Sequence, residues 1–149
     1  MLYGWLLITY TMKHAGTKME FSEERMRDMM IERNKYLASC RHILMPEVYQ
    51  HLSSVPAPRF YVTGTRAAHV VASMMREGEQ ALKRMRPLKR EMFFEIYSRV
   101  LKLMPKHPNT SIYHLCVRVT LQPAPKFYLT PGSIKVLLCR AIKQKKQRA

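Results

Sequence analysis

The chain has 149 residues, of which 26 are Lys or Arg and 10 are Asp or Glu, so its formal net charge at pH 7 is +16. A chain of this length with 47 % apolar residues can bury one compact core, which excludes an intrinsically disordered protein. Because the positive charge far exceeds what solubility requires, the composition favours a polyanionic partner. Nucleic acid is the first candidate and an anionic membrane surface is the second.

Residues 1–20 form an N-terminal extension that begins with an apolar, aromatic run. The run is too short to span a bilayer, and no basic residue precedes it as in a secretory signal. Translation can start at Met1, Met12 or Met19, since each precedes the first predicted helix. We expect the extension to be a loosely attached strand or helix if it is made.

Residues 21–80 are predicted to form three helices, because their apolar residues recur three and four positions apart. The expected bounds and caps are 21–40 with Ser22 as N-cap, a short helix beginning near Pro46, and 64–78 with Thr63 as N-cap. No segment has the alternation typical of a strand, so the predicted fold class is all-α.

The second and third helices are separated by the segment Pro-Ala-Pro-Arg-Phe-Tyr-Val-Thr at 56–63, which we call the first box. It returns as Pro-Ala-Pro-Lys-Phe-Tyr-Leu-Thr at 123–130, the second box, with six of eight positions identical. Two prolines prevent each box from continuing a helix, so both are predicted to be extended connectors or turns. At least one aromatic residue of each box should anchor it in the core.

The region around the first box recurs with the same offset of 67 residues and without a gap. This offset maps residues 22–78 onto 89–145 and places the apolar stripe of each helix on another apolar stripe. Thr130 followed by Pro131 predicts the start of the last helix. We therefore predict two tandem tri-helical units with about six helices, packed as one small domain or as two adjoining ones. The expected segments are 21–80 for the first unit, 81–90 for a basic linker, 91–142 for the second unit and 143–149 for a basic tail.

Most of the positive charge lies between each box and the end of the helix that follows it. Residues 56–90 hold eight basic and two acidic residues, and residues 123–149 hold seven basic and no acidic ones. On each third helix the face opposite the apolar stripe is basic or hydrogen-bonding, as major-groove insertion requires. For any one of these side chains, a solvated surface position is the alternative. The predicted nucleic-acid contacts are Arg59, Arg66, His69, Ser73, Arg76, Lys126, Ser133, Arg140, Lys143, Lys145 and Lys146.

Three helices with a basic third helix resemble the tri-helical helix-turn-helix class of DNA-binding domains. The resemblance covers 22–78 and 89–145, and it implies that the third helices carry recognition. The connector before each third helix spans about eight residues, whereas helix-turn-helix domains use a turn of about three or four.

Catalysis is not expected from this sequence. Asp28 is the only aspartate and no acidic residue follows Glu95, which argues against the clustered carboxylates of a two-metal nuclease. No glycine-rich phosphate loop, nucleophile motif or metal-binding histidine pair is present, so no cofactor and no metal are predicted. Histidine and lysine leave a metal-free ribonuclease as the remaining enzymatic alternative.

Three hypotheses for the function follow. The first is a duplex-DNA-binding protein that acts as a small regulator or accessory factor of replication, recombination or a mobile element. The second is an RNA-binding accessory protein, and the third is a helical module that docks on an acidic protein or membrane surface. No transmembrane segment or small-molecule substrate is expected, and self-association stays open. Three cysteines without a Cys-x-x-Cys pair predict a cytoplasmic location.

Overall fold

A computed structural model of the chain describes residues 21–149, and the N-terminal extension with its candidate start sites lies outside the described residues. The described residues form six α-helices joined by turns and two short 3₁₀-helices, so the predicted all-α class is confirmed. The helices are α1 (Phe21–Ser39), α2 (Met45–Leu52), α3 (Gly64–Glu77), α4 (Pro87–Leu103), α5 (Ile112–Thr120) and α6 (Pro131–Arg148). The 3₁₀-helices are Gly78–Leu82 and Met104–Lys106.

The third helix of each half begins after the threonine that closes its box, as predicted. Thr63 Oγ1 accepts a hydrogen bond from the backbone N–H of Arg66 at 3.0 Å, and Thr130 Oγ1 accepts one from Ser133 at 3.2 Å. Each cap satisfies a first-turn N–H that has no partner inside the helix. The third predicted cap is wrong, because Ser22 lies inside α1.

Two segment boundaries differ from those expected. Pro87 is the first residue of α4, so the end of the expected linker 81–90 is helical. The fixed φ angle of proline suits the first helical position, where its missing N–H leaves no bond unmade. α6 continues through Arg148, so residues 143–149 extend a helix and do not form a separate tail.

The third helix of each half packs on the first two helices of the other half. α3 packs against α4 and α5, whereas α6 packs against α1 and α2. Within the described residues, neither third helix packs extensively on the two helices that precede it in the chain. This exchange differs from the tri-helical units expected from the sequence, and it joins the two halves into one body.

The two boxes cross where the halves meet. Ala57 and Ala124 form an antiparallel bridge, in which the N–H of each residue donates to the carbonyl oxygen of the other at 2.9 Å. Both alanines are buried, so this reciprocal pairing satisfies backbone groups that water does not reach.

The box aromatics stack across the same crossing. The Phe60 ring stacks on Tyr128 with centroids 6.1 Å apart, and the Tyr61 ring stacks on Phe127 at 5.8 Å. Adding 67 to one member of each pair and subtracting it from the other converts the first contact into the second. These contacts are therefore unchanged when the two halves are exchanged, which is the pairing expected of a pseudo-twofold relation at the crossing.

One hydrophobic core extends through both halves. Phe60 and Phe127 are only 1 % and 3 % exposed, which confirms that each box anchors an aromatic residue in this core. α3 approaches α5 so closely at Gly64 that a Cβ atom there would overlap the side chain of Val117. The absence of a side chain at Gly64 thus permits the contact that docks α3 on the second half.

Candidate nucleic-acid interface

The outer face of α3 is exposed and carries cations, because the opposite face is the one that α3 buries in the core. Arg66, His69 and Arg76 are exposed, and Ser73 is half-buried between them. The Ser73 hydroxyl donates to the carbonyl oxygen of His69 at 3.1 Å, and the Arg76 guanidinium reaches the Ser73 hydroxyl at 3.5 Å. The structure therefore brings these four predicted contact residues together on one face.

The outer face of α6 is also exposed and is richer in cations. It presents Ser133, Val136, Arg140 and Lys143, and Val136 is 59 % exposed although it is apolar. The final turns add further exposed basic residues, namely Lys145, Lys146 and Arg148. No acidic side chain lies on this helix to offset them.

Ion pairs leave both faces untouched. Within residues 21–149 the basic side chains that form ion pairs are Lys35, Arg59, Arg99 and Lys126. None of these lies on α3 or α6, so the cations of the two third helices face solvent without an acidic partner in this part of the chain. A cation without an intramolecular partner keeps its charge available for phosphate.

The box cations Arg59 and Lys126 are among the predicted nucleic-acid contacts, but both form ion pairs within the protein. The Arg59 side chain is 18 % exposed and pairs with Glu24 at 3.8 Å, while its guanidinium covers the Phe21 ring at 4.6 Å. Lys126 pairs in the equivalent way with Glu91. Both pairs join a box to the first helix of its own half, so these cations tie each box to that helix and their charges are partly neutralised.

The box tyrosines occupy two different environments. Burial raises the pKa of Tyr61 far above its usual range, and its hydroxyl donates to Asp28 Oδ2 at 2.6 Å. Burial also raises the pKa of Tyr128, to about 12, with Glu95 and Glu91 adding to the effect. Tyr128 has a φ of 57°, in the left-handed region that non-glycine residues rarely adopt. Both hydroxyls stay protonated at neutral pH, and Tyr61 uses its proton in the bond to Asp28.

A cavity of about 640 Å³ opens beside the crossing, and we call it the box cavity. The aromatic residues of both boxes line it, and the buried rings of Phe60 and Phe127 form its apolar side. Its charged lining consists of five basic residues and no acidic ones, namely Arg25, Arg59, Arg86, Lys89 and Lys126. The start of α6 also contributes, through Thr130 and Ser133.

Three of these cations were missed by the sequence reasoning, which assigned Arg86 and Lys89 to the linker and Arg25 to a neutral helix. Arg25 also lies beside Ser133 and Arg140 in a groove of about 370 Å³ along α6. Its Nε is buried with no hydrogen-bond partner among the described residues, and burial lowers its pKa. The sequence did contain a signal for Arg25, because the offset of 67 aligns this cation with the apolar residue Met92, which is buried in the second half.

Between 21 and 149, no group of three or more His, Cys, Asp or Glu side chains is arranged to hold a metal ion. In the same part of the chain, no helix is both long and apolar enough to cross a bilayer.

Comparisons with known proteins were made at three levels. No protein-family model, no curated protein and no solved structure matches this chain.

Proposed function

We propose that this chain is a non-enzymatic protein that binds nucleic acid, with duplex DNA as its preferred form. It would act as a small regulator or accessory factor of replication, recombination or a mobile element. The observation that carries the proposal is the pair of exposed basic helix faces on α3 and α6, which lack acidic partners among residues 21–149. Duplex DNA is a polyanion whose grooves accept an α-helix.

The pseudo-twofold relation between the halves supports duplex DNA over single strands. A duplex has local twofold axes, and symmetric dimers use them to place two helices into half-sites about 34 Å apart. Here one chain carries two equivalent helices, since α3 and α6 make equivalent packing contacts around the crossing. We infer that α3 and α6 address two half-sites from a single chain.

The two faces would contribute differently to binding. On α3, Arg66 and Arg76 can pair with guanine edges, and His69 adds a hydrogen-bonding group. On α6, Arg140, Lys143 and the basic final turns suit the phosphate backbone, which supplies affinity without sequence information. We therefore assign sequence preference chiefly to α3 and electrostatic affinity chiefly to α6.

A titration against three polyanions tests the proposal. The full chain is titrated with labelled duplex DNA, single-stranded RNA and anionic vesicles at several salt concentrations, and binding is followed by fluorescence anisotropy or sedimentation. We expect a preference for the duplex and a log–log salt slope set by about six to ten phosphate contacts. Equal, weak binding to all three polyanions would contradict the proposal, and a preference for RNA or vesicles would favour those partners instead.

Charge-matched variants then separate the two helices. The double variant Arg140→Gln, Lys143→Gln should reduce affinity for every duplex and lower the salt slope by about two. The double variant Arg66→Gln, Arg76→Gln should reduce discrimination between sequences, by about 1–3 kcal/mol for each base-reading contact. The control Lys102→Gln, Lys106→Gln removes two exposed cations outside both faces. If this control weakens binding as much as the other pairs do, net charge and not the helix faces determines binding.

A further inference from the structure

The box cavity concentrates positive charge in a concave site that the DNA-binding proposal does not use. Five cations line it, and two of them, Arg59 and Lys126, are balanced by Glu24 and Glu91. Arg25, Arg86 and Lys89 have no ion-pair partner within residues 21–149. Three like charges around one cavity repel each other unless an anion occupies it.

We propose that the box cavity binds a phosphate group, carried either by a free nucleotide or by a nucleic acid. Arg86 and Lys89 lie at the exposed start of α4, and Arg25 reaches the cavity from α1. Guanidinium and ammonium groups from separate elements that converge on one volume are the usual means of holding phosphate.

The buried Nε of Arg25 is an independent observation that favours a ligand in the box cavity. This atom is shielded from water and has no hydrogen-bond partner in the described part of the chain. A buried donor without an acceptor destabilises a fold by about 1–3 kcal/mol, so such atoms call for a ligand, an ion or a water molecule. A phosphate in the cavity would bring acceptor oxygens next to the guanidinium that carries this atom.

The rest of the cavity suits a ligand larger than phosphate alone. Its volume of about 640 Å³ falls within the range of small-molecule sites. Aromatic residues from both boxes line it together with the cations, and Tyr128 among them has the left-handed backbone conformation. A lining that combines cations with aromatic rings suits both parts of a nucleotide, its phosphates and its base.

Calorimetric titration of the full chain tests the site with pyrophosphate and ATP, and with adenosine as the phosphate-free control. We expect saturable binding of one pyrophosphate or ATP per chain and none of adenosine alone. The double variant Arg86→Gln, Lys89→Gln removes two exposed rim cations and should weaken binding about ten-fold or more. The matched variant Lys83→Gln, Arg84→Gln removes two neighbouring exposed cations that do not line the cavity, and should keep binding within about two-fold.

Two results would overturn the proposal. One is an equal loss of affinity in both double variants, which would mean that only net charge matters. The other is the absence of saturable binding for pyrophosphate, ATP and phosphorylated duplex alike. Arg25→Met, which copies the residue at the equivalent position 92, tests a third cation of the cavity. Once an unchanged melting temperature has confirmed its fold, this variant should bind pyrophosphate and ATP more weakly.

Further binding measurements identify the molecule that carries the phosphate. Binding of ATP and pyrophosphate with no effect of a duplex 5′-phosphate would identify a free nucleotide. A duplex whose affinity depends on Arg86 and Lys89, with no binding of free phosphates, would identify the nucleic acid. The proposal stands apart from the proposed function, since loss of duplex binding in the α6 variant with pyrophosphate binding retained would separate the two sites.

Discussion

α3 and α6 hold equivalent places in the two halves, yet their surfaces have diverged. α3 has 14 residues and ends among the acidic residues Glu77 and Glu79, whereas α6 has 18 residues and no acidic one. Their buried faces remain alike, because both must dock on two helices of the opposite half. Packing therefore constrains one face of each helix and leaves the other free to specialise.

Removing the box anchors should produce the largest effects. Phe60→Ala and Phe127→Ala each open a cavity in the core, which lowers the free energy of unfolding by about 3–5 kcal/mol. We expect the larger loss at Phe60, because the Arg99 guanidinium lies 5.0 Å from the centre of its ring and no cation among residues 21–149 covers Phe127. Urea denaturation of both variants measures the difference.

The control for that comparison is Arg99→Gln, which keeps both rings. In an Arg99→Gln background the gap between the two alanine variants should narrow, because the cation over Phe60 is gone, while the lost bonds of Arg99 to Glu95 and to the Pro123 carbonyl oxygen affect both variants alike. A loss at Phe127 that exceeds the loss at Phe60 would show that the crossing is less symmetric than its contacts indicate.

Replacing the glycine at the start of each third helix by alanine should change the stability of the fold in opposite directions for α3 and α6. Gly64→Ala should destabilise the protein by about 1–3 kcal/mol, because the new methyl group meets Val117, whose branched side chain has little freedom to move. Gly132→Ala meets nothing closer than Thr130 Oγ1 at 4.0 Å and should stabilise the fold by about 0.5–1 kcal/mol. Thermal unfolding of the two variants gives the comparison, and a shift of the same sign in both would contradict it.

Loss of the threonine caps should have a moderate and similar effect in both halves. Thr63→Ala and Thr130→Ala each leave a first-turn N–H without its acceptor, which destabilises the fold by about 1 kcal/mol. Thr→Ser at either site keeps the hydroxyl and should retain most of the stability. Chemical denaturation distinguishes these variants, and an equal loss in alanine and serine variants would attribute the effect to the methyl group and not to the cap.

The smallest expected effect is the loss of stability at high pH, where the ionisation of Tyr128 can be followed apart from that of Tyr61. The pKa of Tyr128 is raised from 10.0 to about 12 by burial, so the unfolded chain ionises first as pH rises. Stability from this group is therefore intact below about pH 10 and decreases toward pH 12. Tyr128→Phe should flatten this decrease in melting temperature, and tyrosinate absorbance of Tyr61→Phe should still show the Tyr128 transition. An unchanged pH profile in Tyr128→Phe would contradict the assignment.

Local features of the fold could be predicted from the sequence because they depend on nearby residues. The apolar stripe of α3 and the caps Thr63 and Thr130 follow from spacing and from the chemistry of the first helical turn. The anchoring of at least one aromatic ring per box followed from the large apolar area of such rings, and the structure identifies the buried rings as those of Phe60 and Phe127. Ser22 failed as a cap because the pattern of a cap residue before acidic residues also occurs inside a helix.

The exchange of third helices could not be predicted, because the same apolar stripe fits either pair of partner helices. The crossing of the boxes and the close approach at Gly64 determine which pair of helices each third helix packs on, and both are long-range contacts. Three cations of the box cavity, Arg25, Arg86 and Lys89, were missed for the same reason. Arg25 and Lys89 are distant in the chain, and only the crossing brings them to one volume.

The exchange also determines the order in which the protein can complete its fold during synthesis. α1 and α2 emerge from the ribosome first, but the helix that covers them is α6, which follows after α3, α4 and α5 have been made. The apolar surfaces of α1 and α2 therefore stay open while the rest of the chain is translated. Such late, long-range closure slows folding and exposes the nascent chain to aggregation, which makes chaperone assistance valuable for this architecture.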